Sequence, residues 1–161
     1  MKKRVYLSLG SNLGDRRAHL DRALEEMQAA GIEVKRVSSI YKTEPVDTFH
    51  QPWFLNCVVE TETEMMPRQL LRSLQRIEHR AGRKRLVRHG PRTMDIDILF
   101  YENHVMHSPE LTIPHPRLLE RRFVLEPLRE IAPEARHPAS RRTVRELWAE
   151  SRGSGRVEKV S

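Results

Sequence analysis

Asp95 and Asp97 stand two residues apart in the run Arg92-Thr93-Met94-Asp95-Ile96-Asp97-Ile98-Leu99. On an extended strand alternate side chains share a face, so both carboxylates point one way while Met94, Ile96 and Ile98 point the other. Two residues of rise set the carboxylates about 6–7 Å apart. That gap suits a pair of divalent ions roughly 3.5–4 Å from each other, an arrangement that clamps phosphate oxygens. Hard cations such as Mg²⁺ take carboxylate oxygens and leave positions open for phosphate and water. The competing reading of a bare Asp-x-Asp is the solvated acidic face of an edge strand. Against it stands the segment just before: Arg76, Arg80, Arg83, Lys84, Arg85, Arg88 and Arg92 are opposed there by Glu78 alone, and they carry most of the chain's formal net charge of +7. Charge this local marks a site for a polyanion rather than a generally basic coat.

Arginine suits phosphate because its planar fork bonds two oxygens at once and stays charged. Arg83 and Arg92 flank a polar loop and are the first choices for phosphate contacts, with Arg85 and Arg88 behind them; Arg76 and Arg80 read as solvated charge. No Gly-x-x-x-x-Gly-Lys-Ser/Thr loop is present, and Gly10-Ser11-Asn12-Leu13-Gly14 reads as a strand-to-helix turn. His115 is enclosed by Pro114 and Pro116, which suits either a phosphate donor or a residue in a rigid turn. Trp53-Phe54-Leu55-Asn56 offers an aromatic face beside an amide that can read the edge of a flat heterocycle, and Phe123 is a second stacking face. Ordinary core packing is the alternative for either aromatic alone. Cys57 reads as a small buried hydrophobe, and a single cysteine excludes an internal disulfide or a cysteine-built zinc site. The histidines show no metal-ligand spacing.

The elements that must position these groups follow from periodicity. Val5, Leu7 and Leu9 alternate as a first strand; Asp15 caps a helix carrying Leu20, Leu24 and Met27, which Gly31 ends. A second strand is expected over Ile32 to Tyr41 and a third over Leu55 to Thr63. Pro67 opens a second helix, with Leu70, Leu71, Leu74 and Ile77 as its apolar stripe up to Gly82. Met94 to Tyr101 is a further strand. The order β-α-β-β-α-β predicts an α+β fold with a ferredoxin-like core, an antiparallel or mixed sheet with helices packed on it in αβα layers. Beyond it Pro114, Pro116 and Pro127 break the chain into short pieces, Val144 to Trp148 reads as a small terminal helix, and 151–161 is expected to fray. With 161 residues, no repeat and no linker, a single domain over 1–161 is expected. The basic start at Met1-Lys2-Lys3-Arg4 lacks a signal-peptide core, and no apolar run could cross a bilayer, so a cytoplasmic chain without a membrane partner is expected.

Six segments in this order closely resemble the 6-hydroxymethyl-7,8-dihydropterin pyrophosphokinase family of folate biosynthesis. They are Leu9 to Gly14, Ser38 to Pro45, Gln51 to Asn56, Gln75 to Arg83, Gly90 to Leu99 and Leu111 to Leu128. Gly-Pro-Arg-Thr-Met-Asp-Ile-Asp-Ile-Leu is the most specific of them. The resemblance implies an ATP-dependent diphosphotransferase that moves the β,γ-pyrophosphoryl group of ATP to the pterin's hydroxymethyl oxygen and releases AMP. It implies that Asp95 and Asp97 hold two Mg²⁺ ions, and that Arg83, Arg92 and His115 contact phosphates. It also implies that Gln75, Glu78, Ile98, Thr112 and Arg121 lie near the nucleotide. Phe54 and Phe123 match the rings that sandwich the pterin and Asn56 the amide that reads its edge; Thr43 and Val46 match backbone contacts to the same ring, with Asp95 beside it.

The family pattern is not followed everywhere. His89 stands where members often carry Trp or Asn, and Pro116 where some carry an aromatic residue. The polar or proline-bearing loops 44–52 and 82–92 flank the implied ligands and are expected to close on them. Asp97 is the candidate for accepting the substrate's proton. An RNA-binding reading of a basic ferredoxin-like domain lacks the aromatic-rich ribonucleoprotein signature, and a two-metal nuclease leaves the aromatic-amide motif unused. The chain is therefore expected to take ATP and the pterin as a monomer, with no nucleic-acid partner.

Overall fold

A computed structural model describes residues 1–44, 52–82, 93–151 and 156–160. Its centre is strand β1 (Lys3–Ser11), buried from Val5 onward because both of its faces and both of its edges are covered. The Asp15 side chain accepts from the Ala18 N–H at 3.1 Å and starts helix α1 (Arg16–Ala29), which buries Leu20, Ala23 and Met27. Gly31, at φ 88°, turns the chain back toward the sheet.

The strand expected over Ile32 to Tyr41 is two strands, β2 (Glu33–Val37) and β3 (Tyr41–Thr43). Serine chemistry breaks it. The Ser38 hydroxyl accepts from the Val58 N–H at 2.9 Å and replaces a ladder partner, as serines do when they compete with regular structure. Strand β4 (Phe54–Thr63) pairs with β1, β2 and β3. Helix α2 (Pro67–Arg80) starts on its proline and buries Leu70, Leu74 and Ile77 as its periodicity requires, together with Glu78. Strand β5 (Asp95–Tyr101) follows, then the small hairpin β6 (Met106–His107) and β7 (Thr112–Ile113).

Helix α3 (Arg122–Ile131) contains Pro127, which the sequence reading took as a breaker. An interior proline costs about 3 kcal/mol in a helix. Here Val124, Leu125, Leu128 and Ile131 form a continuous buried stripe whose packing offsets that cost. Helix α4 (Val144–Glu150) is where expected, set by a capping box between Thr143 and Glu146. It is not terminal. Strand β8 (Val157–Lys159) pairs with β3, so the segment expected to fray adds a strand to the sheet.

The sheet is antiparallel with spatial order β5-β1-β4-β3-β8, and β2 also pairs with β4. Helices α1 and α2 close one face over Val5, Leu7, Leu9, Ile96 and Ile98. Helices α3 and α4 close the other over Tyr6, Val58 and Phe100. Register along β1 and β5 shifts between Tyr6 and Leu7, so Leu99 is an extra residue on β5. That bulge lets Phe100 join the α3 face on which Asp95 and Asp97 already lie. No helix among the described residues is long and apolar enough to cross a membrane.

Candidate active site

Antiparallel register lines up one transverse row of residues across five strands: Lys159, Tyr41, Asn56, Gly10 and Asp95. Directly paired residues share a face, so all five lie on the α3 side of the sheet, where the Tyr41 hydroxyl donates to Glu130 of that helix at 2.6 Å. The row below holds Val58, Ser8 and Asp97; the row above holds Val157, Thr43 and Phe54. Asp95 and Asp97 are thus on one face, as their spacing required, and Asn56 and Phe54 are on the same face two strands away.

Between Asn56 and Asp95 there is only Gly10. Paired strands are about 4.8 Å apart, so the amide and the carboxylate rise from backbones about 10 Å apart over a floor with no side chain. A Cβ at position 10 would overlap Asn56 Oδ1 and would sit 3.5 Å from the Phe54 ring. The glycine is needed for space. Asn56 is buried, and its Nδ2 donates to Thr43 Oγ1, which leaves Oδ1 lying over Gly10.

The opposite wall comes from the turn into α3. Arg121 Nη1 is 3.5 Å from Asp97 Oδ2, and its guanidinium lies over the Phe123 ring at 5.6 Å. His115 is docked by the bulge: its N–H donates to the Leu99 carbonyl at 3.1 Å. Its Nδ1 accepts from the Arg117 N–H at 3.2 Å, so in the neutral ring Nε2 carries the proton. Burial, with the Arg121 charge next, pushes its pKa down to about 4. At neutral pH His115 is therefore an uncharged donor through Nε2.

A further group gathers along the outer edge of β5. Glu78, buried on α2, accepts the Ile96 N–H through Oε2 at 2.7 Å, between the two aspartates. Alternation sends the backbone groups of Ile98 to that same edge, while its side chain packs in the α1/α2 core. Ile98 therefore brings no side chain to the aspartate face. Gln75 is exposed on α2 one turn before Glu78, and Thr112 is half-buried on β7, which lies against β5. Arg83, Arg92 and Val46 lie outside the described residues, as do Arg85, Arg88, His89 and most of both loops expected to close. Cys57 is buried and its thiol is pushed up to about 12, which removes it as a nucleophile.

Three contributors escaped the sequence reading. Gly10 reads from the sequence as part of a turn, yet it lies inside β1. Asn12 Nδ2 donates to the Pro52 carbonyl at 3.1 Å, and Arg16 Nη1 to the Trp53 carbonyl at 2.6 Å. Both hold the backbone that leads into Phe54. Their polar character at the end of β1 and the start of α1 was visible; their partners, about 40 residues away, were not.

A family model described as 7,8-dihydro-6-hydroxymethylpterin-pyrophosphokinase matches residues 6–133. The 2-amino-4-hydroxy-6-hydroxymethyldihydropteridine pyrophosphokinase of Bacillus subtilis is 45% identical over 141 residues, covering 87% of this chain and 84% of that protein. The protein of the same name from Methylorubrum extorquens is 44% identical over 158 residues, 98% of each. The folic acid synthesis protein fol1 of Pneumocystis carinii is 45% identical over 136 residues, 84% of this chain but 18% of that protein. Among solved structures, Plasmodium falciparum HPPK-DHPS with pterin and p-hydroxybenzoate superposes with a TM-score of 0.75 at 18% identity, over 93% of this chain and 43% of that one. This chain thus spans less than half of those longer relatives and nearly the full length of the bacterial ones.

Proposed function

The chain belongs to the 7,8-dihydro-6-hydroxymethylpterin-pyrophosphokinase family, and on that premise we propose that it transfers pyrophosphate from ATP to the hydroxymethyl group of 6-hydroxymethyl-7,8-dihydropterin, giving AMP and the pterin diphosphate for folate synthesis. The observation that carries this reading is the row Asn56–Gly10–Asp95, in which a residue without a side chain lets the Asn56 amide and the Phe54 ring close over β1 on the face that carries the aspartates. The flat bicyclic ring would stack between Phe54 and Phe123. Asn56 Oδ1, turned away from Thr43 by the Nδ2 bond, accepts an N–H from the ring's edge. Thr43 and Val46 supply backbone contacts at the same end.

Two carboxylates on one face, with no third metal-ligating residue grouped with them among the described residues, fit a Mg²⁺ site completed by phosphate oxygens and water. Asp95 and Asp97 would hold two such ions, which when bound offset phosphate charge and ease deprotonation of the attacking hydroxyl. The protein's remaining share is positioning. Arg121 and the Nε2–H of His115 face the polyphosphate, joined by Arg83 and Arg92. Gln75, Glu78, Thr112 and the Ile98 backbone line the nucleotide side along the β5 edge. The hydroxymethyl oxygen then attacks Pβ in line, the bond to the α–β bridging oxygen breaks and AMP departs, with Asp97 placed to accept the proton. The strand order around β1 supports the finer description of the core as ferredoxin-like.

The test is AMP release from ATP with and without the pterin, in magnesium and in EDTA. AMP that requires both pterin and magnesium is the expected result. ADP as product, or AMP formed equally well without pterin, overturns the reaction. Asp95→Ala and Asp97→Ala each remove a carboxylate and should cost several kcal/mol of transition-state stabilisation, about a thousandfold in kcat.

A further inference from the structure

Strand β3 is three residues long, and short isolated pairings are marginal in water. One edge is held by β4. The other is held by β8, from the far end of the chain, in the register Tyr41 to Lys159, Lys42 to Glu158 and Thr43 to Val157. The pairing is extended at both ends. The Val160 N–H donates to the Ile40 carbonyl at 2.8 Å and the Glu44 N–H to the Arg156 carbonyl at 3.2 Å; the Arg156 N–H donates to Glu44 Oε1 at 2.8 Å.

What β3 carries makes this pairing matter. Thr43 Oγ1 is the acceptor that orients the Asn56 amide, so the backbone position of β3 sets which way Oδ1 faces. The Trp53 ring, next in sequence to Phe54, has two cations near it: Lys42 Nζ on β3 at 5.3 Å and the Arg156 guanidinium at 5.6 Å. The C-terminal segment therefore holds both Glu44 and Trp53, while Asn12 and Arg16 hold the Pro52 and Trp53 carbonyls.

Building on the pterin site proposed above, we propose that β8 with Arg156 is a positioning element for the pterin half of the active site. By pinning β3 it keeps the Thr43 hydroxyl beneath the Asn56 amide, and by covering Trp53 it fixes the approach to Phe54. It has no part in holding ATP, whose proposed contacts lie on β5, α2 and the turn into α3.

The experiment compares the full chain with a variant ending at Ser151, with Arg156→Ala and with Arg156→Lys. Each is made in a Trp148→Phe background so that Trp53 is the lone tryptophan. The truncated chain should raise the KM for pterin about tenfold while the KM for ATP stays within about twofold, the signature of lost pterin positioning alone. Its Trp53 emission should shift to the red without ligand present. Arg156→Ala should move both readouts in the same direction by less, and Arg156→Lys should restore them. A truncated chain with unchanged pterin KM, or one in which both KM values rise together, overturns the proposal. If truncation unfolds the protein by circular dichroism, the alanine and lysine variants decide on the same criteria. Failure of the underlying reaction is separate: it appears as absence of pterin-dependent AMP in the unmutated chain.

Discussion

A methyl group at position 10 would overlap Asn56 Oδ1 and press toward the Phe54 ring, so Gly10→Ala tests the site through its floor. Asn56 is buried and bonded to Thr43, which leaves it little room to yield. The expected outcome is a rise in pterin KM of about tenfold or more, with the KM for ATP nearly unchanged; an unaltered pterin KM would remove Gly10 from the site. His115 gives a second prediction, in pH. Its pKa falls from 6.5 in the unfolded chain to about 4 in the folded one, chiefly through burial. Protonation therefore favours the unfolded state between those values. The stability that neutral His115 preserves above pH 6.5, about 3 kcal/mol, is lost as pH falls toward 4. Urea unfolding of the wild type and of His115→Gln at pH 7, 5.5 and 4.5 should show the gap closing on the acid side. Parallel pH curves would contradict the assignment. At this scale the sequence was readable where chemistry is local. Asp95 and Asp97 share a face because a strand has period two, whereas the reason for Gly10 lies in a side chain 46 positions away on another strand.

Among the elements, β5 is the one whose placement matters most, because it carries both aspartates on an edge. Glu78 satisfies the Ile96 N–H there from α2. Glu78→Ala should orphan that donor at a cost of about 1–3 kcal/mol and loosen the strand between the carboxylates. A lower melting temperature with reduced kcat is expected, and Glu78→Gln, which keeps an acceptor oxygen, should recover most of the stability. Equal losses in both variants would mean that the charge, rather than the bond, is what Glu78 supplies. Elements with clean periodicity were legible: β1, α1, β4, α2 and β5 stand within a few residues of their sequence-based expectation. Those that were not have physical reasons. Ser38 divides a β-branched run by bonding Val58, and Pro127 sits within a helix that burial sustains. β8 is a polar three-residue strand that forms against the open edge of β3. Pairing across the chain leaves no local signal.

At the scale of the whole molecule, the sheet separates two jobs. The α1/α2 core stabilises one face, while the face under α3 and α4 ends in the candidate site. Mutations in the two cores should therefore differ in function even when they cost the same. Met27, fully buried at the far end of α1, and Leu125, fully buried in α3, make the comparison. Each truncation to alanine should destabilise by about 2–5 kcal/mol, the usual transfer and cavity cost. Met27→Ala acts on a helix that touches neither Phe123 nor Arg121, so its KM values should match those of the wild type while the protein remains folded. Leu125→Ala undermines the first turn of α3, where Arg121 enters the helix and Phe123 lies, and should raise the pterin KM together with the stability loss. Urea unfolding read beside steady-state kinetics separates the two effects. If both variants leave KM alone, the start of α3 must be held by the Arg121–Asp97 pair and the His115 docking bond rather than by the core beneath it, since these join that turn to β5.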